Sequence, residues 1–139
     1  MRRALVVGGA NGIGLSIATL LAEDEGFECI YIVDKADIAA EHQHTKFEYH
    51  KFDLCSNDYS FFDKFEDIDT LMITAGFGRL AHFADVDERH IIDSFTVNSV
   101  AVVRIIRHFY SHLAAAKDFY CGVMGSIAGF ISSPLFAVY

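Results

Sequence analysis

Residues 4–14, Ala4-Leu5-Val6-Val7-Gly8-Gly9-Ala10-Asn11-Gly12-Ile13-Gly14, decide the fold of this chain. Four apolar residues in a row read as a short strand buried on both faces. A glycine-rich turn follows at once, and then apolar residues at helical spacing: Ile13, Ile17, Leu20 and Leu21. A strand running through glycines into a helix is a ready site for a pyrophosphate. Glycine admits positive φ and close backbone approach, and the first N–H groups of the helix point at the anion. The spacing is Gly8-x-x-x-Gly12-x-Gly14 and not the more common Gly-x-Gly-x-x-Gly. By itself the turn also admits a purely structural reading.

The pattern continues outward in the same alternation. Residues 29–33 (Cys-Ile-Tyr-Ile-Val) read as a second buried strand closed by Asp34-Lys35. Asp34 lies twenty residues past Gly14, where a carboxylate meets the adenosine ribose hydroxyls. It would accept hydrogen bonds from both hydroxyls and repel a 2′-phosphate, which favours NAD over NADP, with Lys35 working against that preference. A polar, His-rich stretch at 41–45 leads to a third strand near 46–52, and 57–65 reads as a short helix. Residues 70–74 form a fourth strand ending at Ala75-Gly76. From 88 to about 117 runs a long helical pattern carrying Ile91, Phe95, Val102, Ile106, Phe109 and Leu113, and 122–125 is a fifth strand. Strands alternating with helices imply right-handed crossovers and a parallel sheet, an α/β fold. No repeat or linker divides the chain, and its single proline, Pro134, lies in the last loop, so residues 1–139 are expected to be one domain.

Composition narrows the function. Apolar residues make up 53% of the 139, with 13 Phe and no Trp, which suits a sheet covered on both faces. A formal net charge of −8 with only 11 Lys and Arg argues against nucleic acid, which demands a basic footprint. The three cysteines, Cys29, Cys55 and Cys121, have none of the paired spacings of disulfide frameworks or zinc sites, so free thiols are expected. The apolar run after Met1-Arg2-Arg3 breaks at Gly8, short of the roughly 7–15 residues of a signal core. No apolar stretch reaches the roughly 18 residues of a membrane span. A soluble, cytoplasmic protein is expected.

In order and register these features resemble the classical short-chain dehydrogenase/reductase family, whose turn is Thr-Gly-x-x-x-Gly-x-Gly. Gly8, Gly12 and Gly14 match it, with Val7 in place of the threonine. Asp53-Leu54 resembles the family's acidic-apolar pair at adenine, and Ile73-Thr74-Ala75-Gly76 its Asn-Asn-Ala-Gly, both asparagines being replaced. Asn98 fits the asparagine of the long helix, Ser126 the catalytic serine and Tyr139, thirteen residues on, the catalytic tyrosine. The resemblance implies a Rossmann-like, doubly wound parallel sheet of order 3-2-1-4-5 that stops before the family's sixth strand. It implies that Gly8, Asn11, Gly12, Ile13, Gly14, Asp34, Asp53, Leu54, Ala75 and Gly76 hold the cofactor, and that the substrate is a small alcohol or carbonyl compound. Val7 and Thr74 stand where the family has side chains that brace the turn and sheet, so a change in local geometry is expected there.

The implied chemistry is hydride transfer coupled to proton transfer at oxygen. Tyr139 would be the general acid/base, Ser126 would orient the substrate oxygen, and Asn98 would anchor a water in the relay. A phenol of ordinary pKa, about 10, is a poor base unless a cation lowers it, and the family supplies a lysine in Tyr-x-x-x-Lys. The sequence stops at Tyr139. The expectation is therefore an intact adenosine half-site with little or no turnover, a bared edge on the fifth strand, and self-association through the long helix 88–117, which lies at the family's subunit interface. An alternative is a remnant that binds nucleotide or a partner without catalysis. An extended-branch epimerase or dehydratase on nucleotide sugars is opposed by Asn11, which stands where that branch has its second glycine.

Other candidates read plainly. His108 and His112 have a metal-compatible spacing without a third ligand, and no metal is expected. His42, His44 and His50 read as surface residues, and Asp85-Val86-Asp87-Glu88 as helix capping. Ser132-Ser133 stand out of register with Tyr139. Phe61, Phe62 and Phe65 read as core.

Overall fold

The computed structural model describes residues 1–65 and 67–139. Five parallel strands, β1 (Arg2–Val7), β2 (Phe27–Asp34), β3 (Phe47–Lys51), β4 (Thr70–Ile73) and β5 (Tyr120–Val123), form one sheet in the order β3-β2-β1-β4-β5. This is the doubly wound order expected from the resemblance. The fifth strand begins two residues before its expected start. Tyr120 N–H donates to Asp69 O and Met124 N–H to Ile73 O, so the ladder with β4 runs from one bond to the other.

Alternation along β1 explains how the sheet is buried. Leu5 and Val7 face one side, Ala4 and Val6 the other, and all four are inaccessible or nearly so. On the Ala4–Val6 side lies α1 (Gly12–Glu23). Its fully buried stripe is Gly14, Ala18 and Ala22; of the larger residues in the sequence pattern, Leu21 packs against the core and Ile17 is half-buried, whereas Ile13 and Leu20 are more than half exposed. Small residues at every fourth position let the helix backbone approach the sheet closely, and only they fit there. On the Leu5–Val7 side, Phe62 and Phe65 of the 3-10 helix Ser60–Phe65 pack with Ala101, Ile105 and Phe109. Phe61 stacks on Phe52 with ring centroids 4.2 Å apart.

The long helical pattern is realised in pieces: α2 (Glu88–Phe95), a π-helical turn (Thr96–Val100), α3 (Ala101–His108) and α4 (Tyr110–Ala115). Asp87 caps α2, its carboxylate accepting from His90 N–H at 2.6 Å. The π turn falls on Asn98, and such bulges are frequent at functional sites. Phe109, whose ring is fully buried, breaks the helix between α3 and α4. Among the described residues no helix is long and apolar enough to cross a membrane. His50 departs from the surface reading: it is half-buried against the rings of Tyr31, Phe61 and Phe65.

Candidate functional site

The carboxyl ends of β1, β2 and β4 open into a cleft of about 470 Å³. Gly8 turns out of β1 at φ +90°, its N–H donating to Val33 O at 2.7 Å. Gly12 begins α1 at φ +56° with open space where a side chain would stand. Gly14 is the tight one: a Cβ there would lie 2.0 Å from Gly8 O and 2.5 Å from Thr74 Oγ1. Asn11 stands at the N-cap without a side-chain cap to the helix, and the first turn carries no acidic residue. The N-terminus of α1 is thus an electropositive end within the cleft wall.

Two carboxylates share the cleft. Asp34 closes β2; its Oδ2 accepts from Ala10 N–H and its Oδ1 from Ala36 N–H, both at 3.0 Å. The first bond ties the carboxylate to the glycine turn. Asp53 Oδ1 accepts from Cys55 N–H at 2.9 Å, and its Oδ2 lies 3.5 Å from Lys35 Nζ. The Cys55 N–H chiefly, with the Lys35 charge, holds the Asp53 carboxyl below the usual carboxylate range. Burial, and then the Asp53 and Asp93 carboxylates, push the Cys55 thiol up.

All the residues assigned to the cofactor from sequence meet here: Gly8, Asn11, Gly12, Ile13, Gly14, Asp34, Asp53, Leu54, Ala75 and Gly76 line this one cleft. Asn98, Ser126 and Tyr139 are not among its lining residues. Asn98 reaches back to the loop after β4, its Nδ2 donating to Phe77 O at 2.7 Å and its Oδ1 accepting from Phe77 N–H at 2.9 Å. Tyr139 packs its ring against the next residue, Gly78, where a Cβ would come within 2.6 Å, and against Phe136. The structure therefore brings Asn98 and Tyr139 onto adjacent residues. Ser126, exposed beyond β5, accepts from Ala128 N–H at 3.1 Å and opens the 3-10 turn Ile127–Gly129.

Thr74, at one of the positions where a change in local geometry is expected, supplies a brace of its own. Its single hydroxyl proton is shared between Val7 O and Gly8 O, each 3.1 Å away, tying β4 to the turn across the sheet. Cys55 and Asp93 also line the cleft, joined by a thiol-to-carboxylate bond at 3.7 Å. Sequence gave no signal for Asp93, because its facing depends on where the helix crosses the loop after β3. His108 pairs with Asp63 at 3.7 Å. Among the described residues no group of three or more His, Cys, Asp or Glu is placed to hold a metal ion.

A parallel sheet of this order with a glycine turn at the end of β1 defines a Rossmann-like α/β protein. The chain belongs to the short chain dehydrogenase family, whose model matches residues 2–139. It is similar to a solved short chain dehydrogenase/reductase family protein at 25% identity, over 99% of this chain and 60% of that one, with a TM-score of 0.87. The 3-oxoacyl-[acyl-carrier protein] reductase from Brucella melitensis, solved with NAD, is similar at 26% identity over 99% of this chain and 60% of its own, with a TM-score of 0.79. A family protein from Francisella tularensis subsp. tularensis SCHU S4 shares the fold at 20% identity and a TM-score of 0.83, over 100% of this chain and 57% of its own. The chain thus spans about 60% of the length of such structures. No curated protein matches it.

Proposed function

We propose that this protein is an NAD-dependent oxidoreductase that exchanges hydride between nicotinamide and an alcohol or carbonyl substrate. The observation that carries the reading is the convergence of the glycine turn, Asp34 and Asp53-Leu54 on one cleft. Its features fit a dinucleotide. Gly8 and Gly14 leave no room for side chains, Gly12 leaves open space, and the uncapped start of α1 faces the same cleft. Asp34, held by Ala10 and Ala36, offers its remaining acceptor capacity to a ribose diol. Lys35 is engaged with Asp53, which supports the preference for NAD over NADP. The Brucella melitensis relative solved with NAD supports the same cofactor class. Bound NAD would supply the hydride acceptor; the chain's own groups bind, orient and move the proton. In that scheme Tyr139 exchanges the proton with the substrate oxygen, Ser126 orients that oxygen, and Asn98 fixes the loop at Phe77 and holds a relay water.

A second reading is favoured by a separate observation. Asn98, Ser126 and Tyr139 stand outside the cleft's lining. On that reading these 139 residues bind the dinucleotide with little or no turnover. Two further properties belong to the proposal: residence in the reducing cytoplasm, which suits three free thiols, and self-association through the long helix, where Ile92, Phe95, Val100, Val103 and Tyr110 are each at least half exposed. Titration of the chain with NAD and with NADP tests the cofactor. The proposal expects saturable binding that is tighter for NAD, and an Asp34→Ala variant in which that preference falls toward parity. A wild-type preference for NADP would overturn it. Turnover of NAD with simple alcohols separates the two readings, hydride transfer supporting the first and binding without transfer the second.

A further inference from the structure

We infer that Arg104 is a positioning residue for the base-binding wall of the cleft and sets its preference for a base that carries an exocyclic amine. The inference rests on the reading of the cleft as a dinucleotide site. Arg104 stands on α3, a rigid support because its neighbours Ala101 and Ile105 are fully buried under the sheet. From there its guanidinium reaches the loop that follows β3. It donates to Ser56 O at 3.3 Å and to Asn57 O at 2.7 Å, and its central carbon lies 3.5 Å from the centroid of the Tyr59 ring. The buried Tyr59 hydroxyl donates to Leu54 O at 2.8 Å. One side chain thus holds the segment 54–59 directly at its middle, 56–57, and through the stacked Tyr59 ring reaches its two ends, 59 and 54.

That segment forms the wall. Leu54 and Cys55 line the cleft, and the Cys55 N–H holds Asp53 Oδ1, so the direction of the Asp53 carboxylate follows from the path of the loop. An ionised carboxylate only accepts hydrogen bonds. It therefore welcomes an amino group, as on adenine, and repels a carbonyl, as on hypoxanthine. The discrimination depends on aim, and short side-chain bonds between near neighbours, such as Asp58 N–H to Ser56 Oγ, do not tie the loop to the rest of the fold. Core packing of Leu54 and the Cys55 thiol on Asp93 hold its start. Arg104 and Tyr59 hold its later part. Because Arg104 acts through Asp53 and touches no ligand, its loss should alter selectivity more than overall folding.

The test is a calorimetric titration of the 139-residue chain with NAD and with nicotinamide hypoxanthine dinucleotide, which differ only at the base. Wild type should prefer NAD by roughly tenfold, the range for a good hydrogen bond to a charged group. In Arg104→Ala that ratio should fall to about 1–3, while the hypoxanthine dinucleotide binds within about twofold of wild type. Arg104→Lys, able to reach one carbonyl but not to make the planar fork, should give an intermediate ratio. Tyr59→Phe keeps the ring, removes the bond to Leu54 O, and should shift the ratio in the same direction. An unchanged ratio in Arg104→Ala, or equal losses for both dinucleotides, would overturn the assignment. If Arg104→Ala does not fold, an unchanged ratio in Tyr59→Phe does so instead. Wild type binding neither dinucleotide would overturn the cleft reading itself, a result distinct from binding without base preference.

Discussion

At the scale of single residues, Gly14 and Gly12 should behave as opposites although both belong to one turn. A methyl group at 14 would meet the backbone oxygen of Gly8 at 2.0 Å, and backbone cannot step aside as a side chain can. Gly14→Ala should therefore separate α1 from the turn, lower the thermal midpoint markedly and abolish dinucleotide binding. Gly12→Ala meets nothing within 4 Å but forces alanine to φ +56°, at a cost of about 1–2 kcal/mol. Thermal melts of the two variants check the contrast; equal destabilisation would contradict it. Thr74→Val keeps the shape and removes the hydroxyl that serves Val7 O and Gly8 O, so a loss of about 1–2 kcal/mol in denaturant unfolding is expected. Asp53 gives a pH signature. Its folded pKa lies below its unfolded value near 3.9, so its contribution is complete above that value and is lost as pH falls through the folded pKa. Melts between about pH 5 and 2 should show a shallower acid decline in Asp53→Asn than in wild type. The effect is small and weakened by salt because the side chains of Lys35 and Asp53 are 77% and 49% exposed. These residues divide by what sequence can carry. Gly8, Gly12 and Asp34 were legible because a positive φ and a strand-end carboxylate leave a chemical trace. Thr74 and Arg104 were not, since threonine and arginine have many uses and theirs depends on partners 66 to 67 and 47 to 48 residues away.

At the scale of elements, β1 was the most legible and α1 the least. An uninterrupted apolar run identifies a strand covered on both faces without further context. The apolar spacing of α1 points to Ile13, Ile17, Leu20 and Leu21. Ile17 and Leu21 are half-buried and Leu21 packs on the core, but Ile13 and Leu20 are exposed and the fully buried stripe is Gly14, Ala18 and Ala22. Closeness of approach decided the face, and hydrophobicity alone does not encode it. The long helix shows the same limit. Its period implies a helix over 88 to about 117, and helical turns run from Glu88 to Ala115. The π turn at Asn98 and the break at Phe109, however, arise from tertiary contacts, a side-chain bond to Phe77 and burial of a ring. The outward residues of this helix make its prediction. Val103 is 66% exposed and close in sequence to the exposed Val100, with Ile92, Phe95 and Tyr110 along the same helical run. If this run is the self-association surface, Val103→Glu should yield a monomer of unchanged thermal midpoint in sedimentation at concentrations where wild type forms dimers or larger species. Wild type sedimenting as a monomer throughout would contradict it.

At the scale of the whole molecule, the two faces of the sheet have different tasks. The face under α1 meets the small helix residues Gly14, Ala18 and Ala22, whose close approach brings a helix N-terminus to the glycine turn. The other face is an aromatic core in which Phe52, a cleft-lining residue, touches Phe61, Phe62 and Tyr59. The cleft is thus continuous with the core, and a ligand filling it stabilises the fold by mass action, about 2.7 kcal/mol at a hundredfold excess over Kd. Alternating elements imply a parallel sheet, and the resemblance to the short-chain dehydrogenase/reductase family supplies the order of its strands. The resemblance puts Asn98 and Tyr139 in one site, but that they meet at Phe77 and Gly78 leaves no trace in the sequence, because loops carry no periodicity. The central claim is that the carboxyl-end cleft is a dinucleotide site governed by Asp34. Its most direct test is calorimetric titration of wild type and Asp34→Ala with NAD and NADP. One NAD per chain should bind, more tightly than NADP in wild type, with the preference lost in the variant; no binding of either dinucleotide, or a preference untouched by the substitution, would contradict a site governed by Asp34.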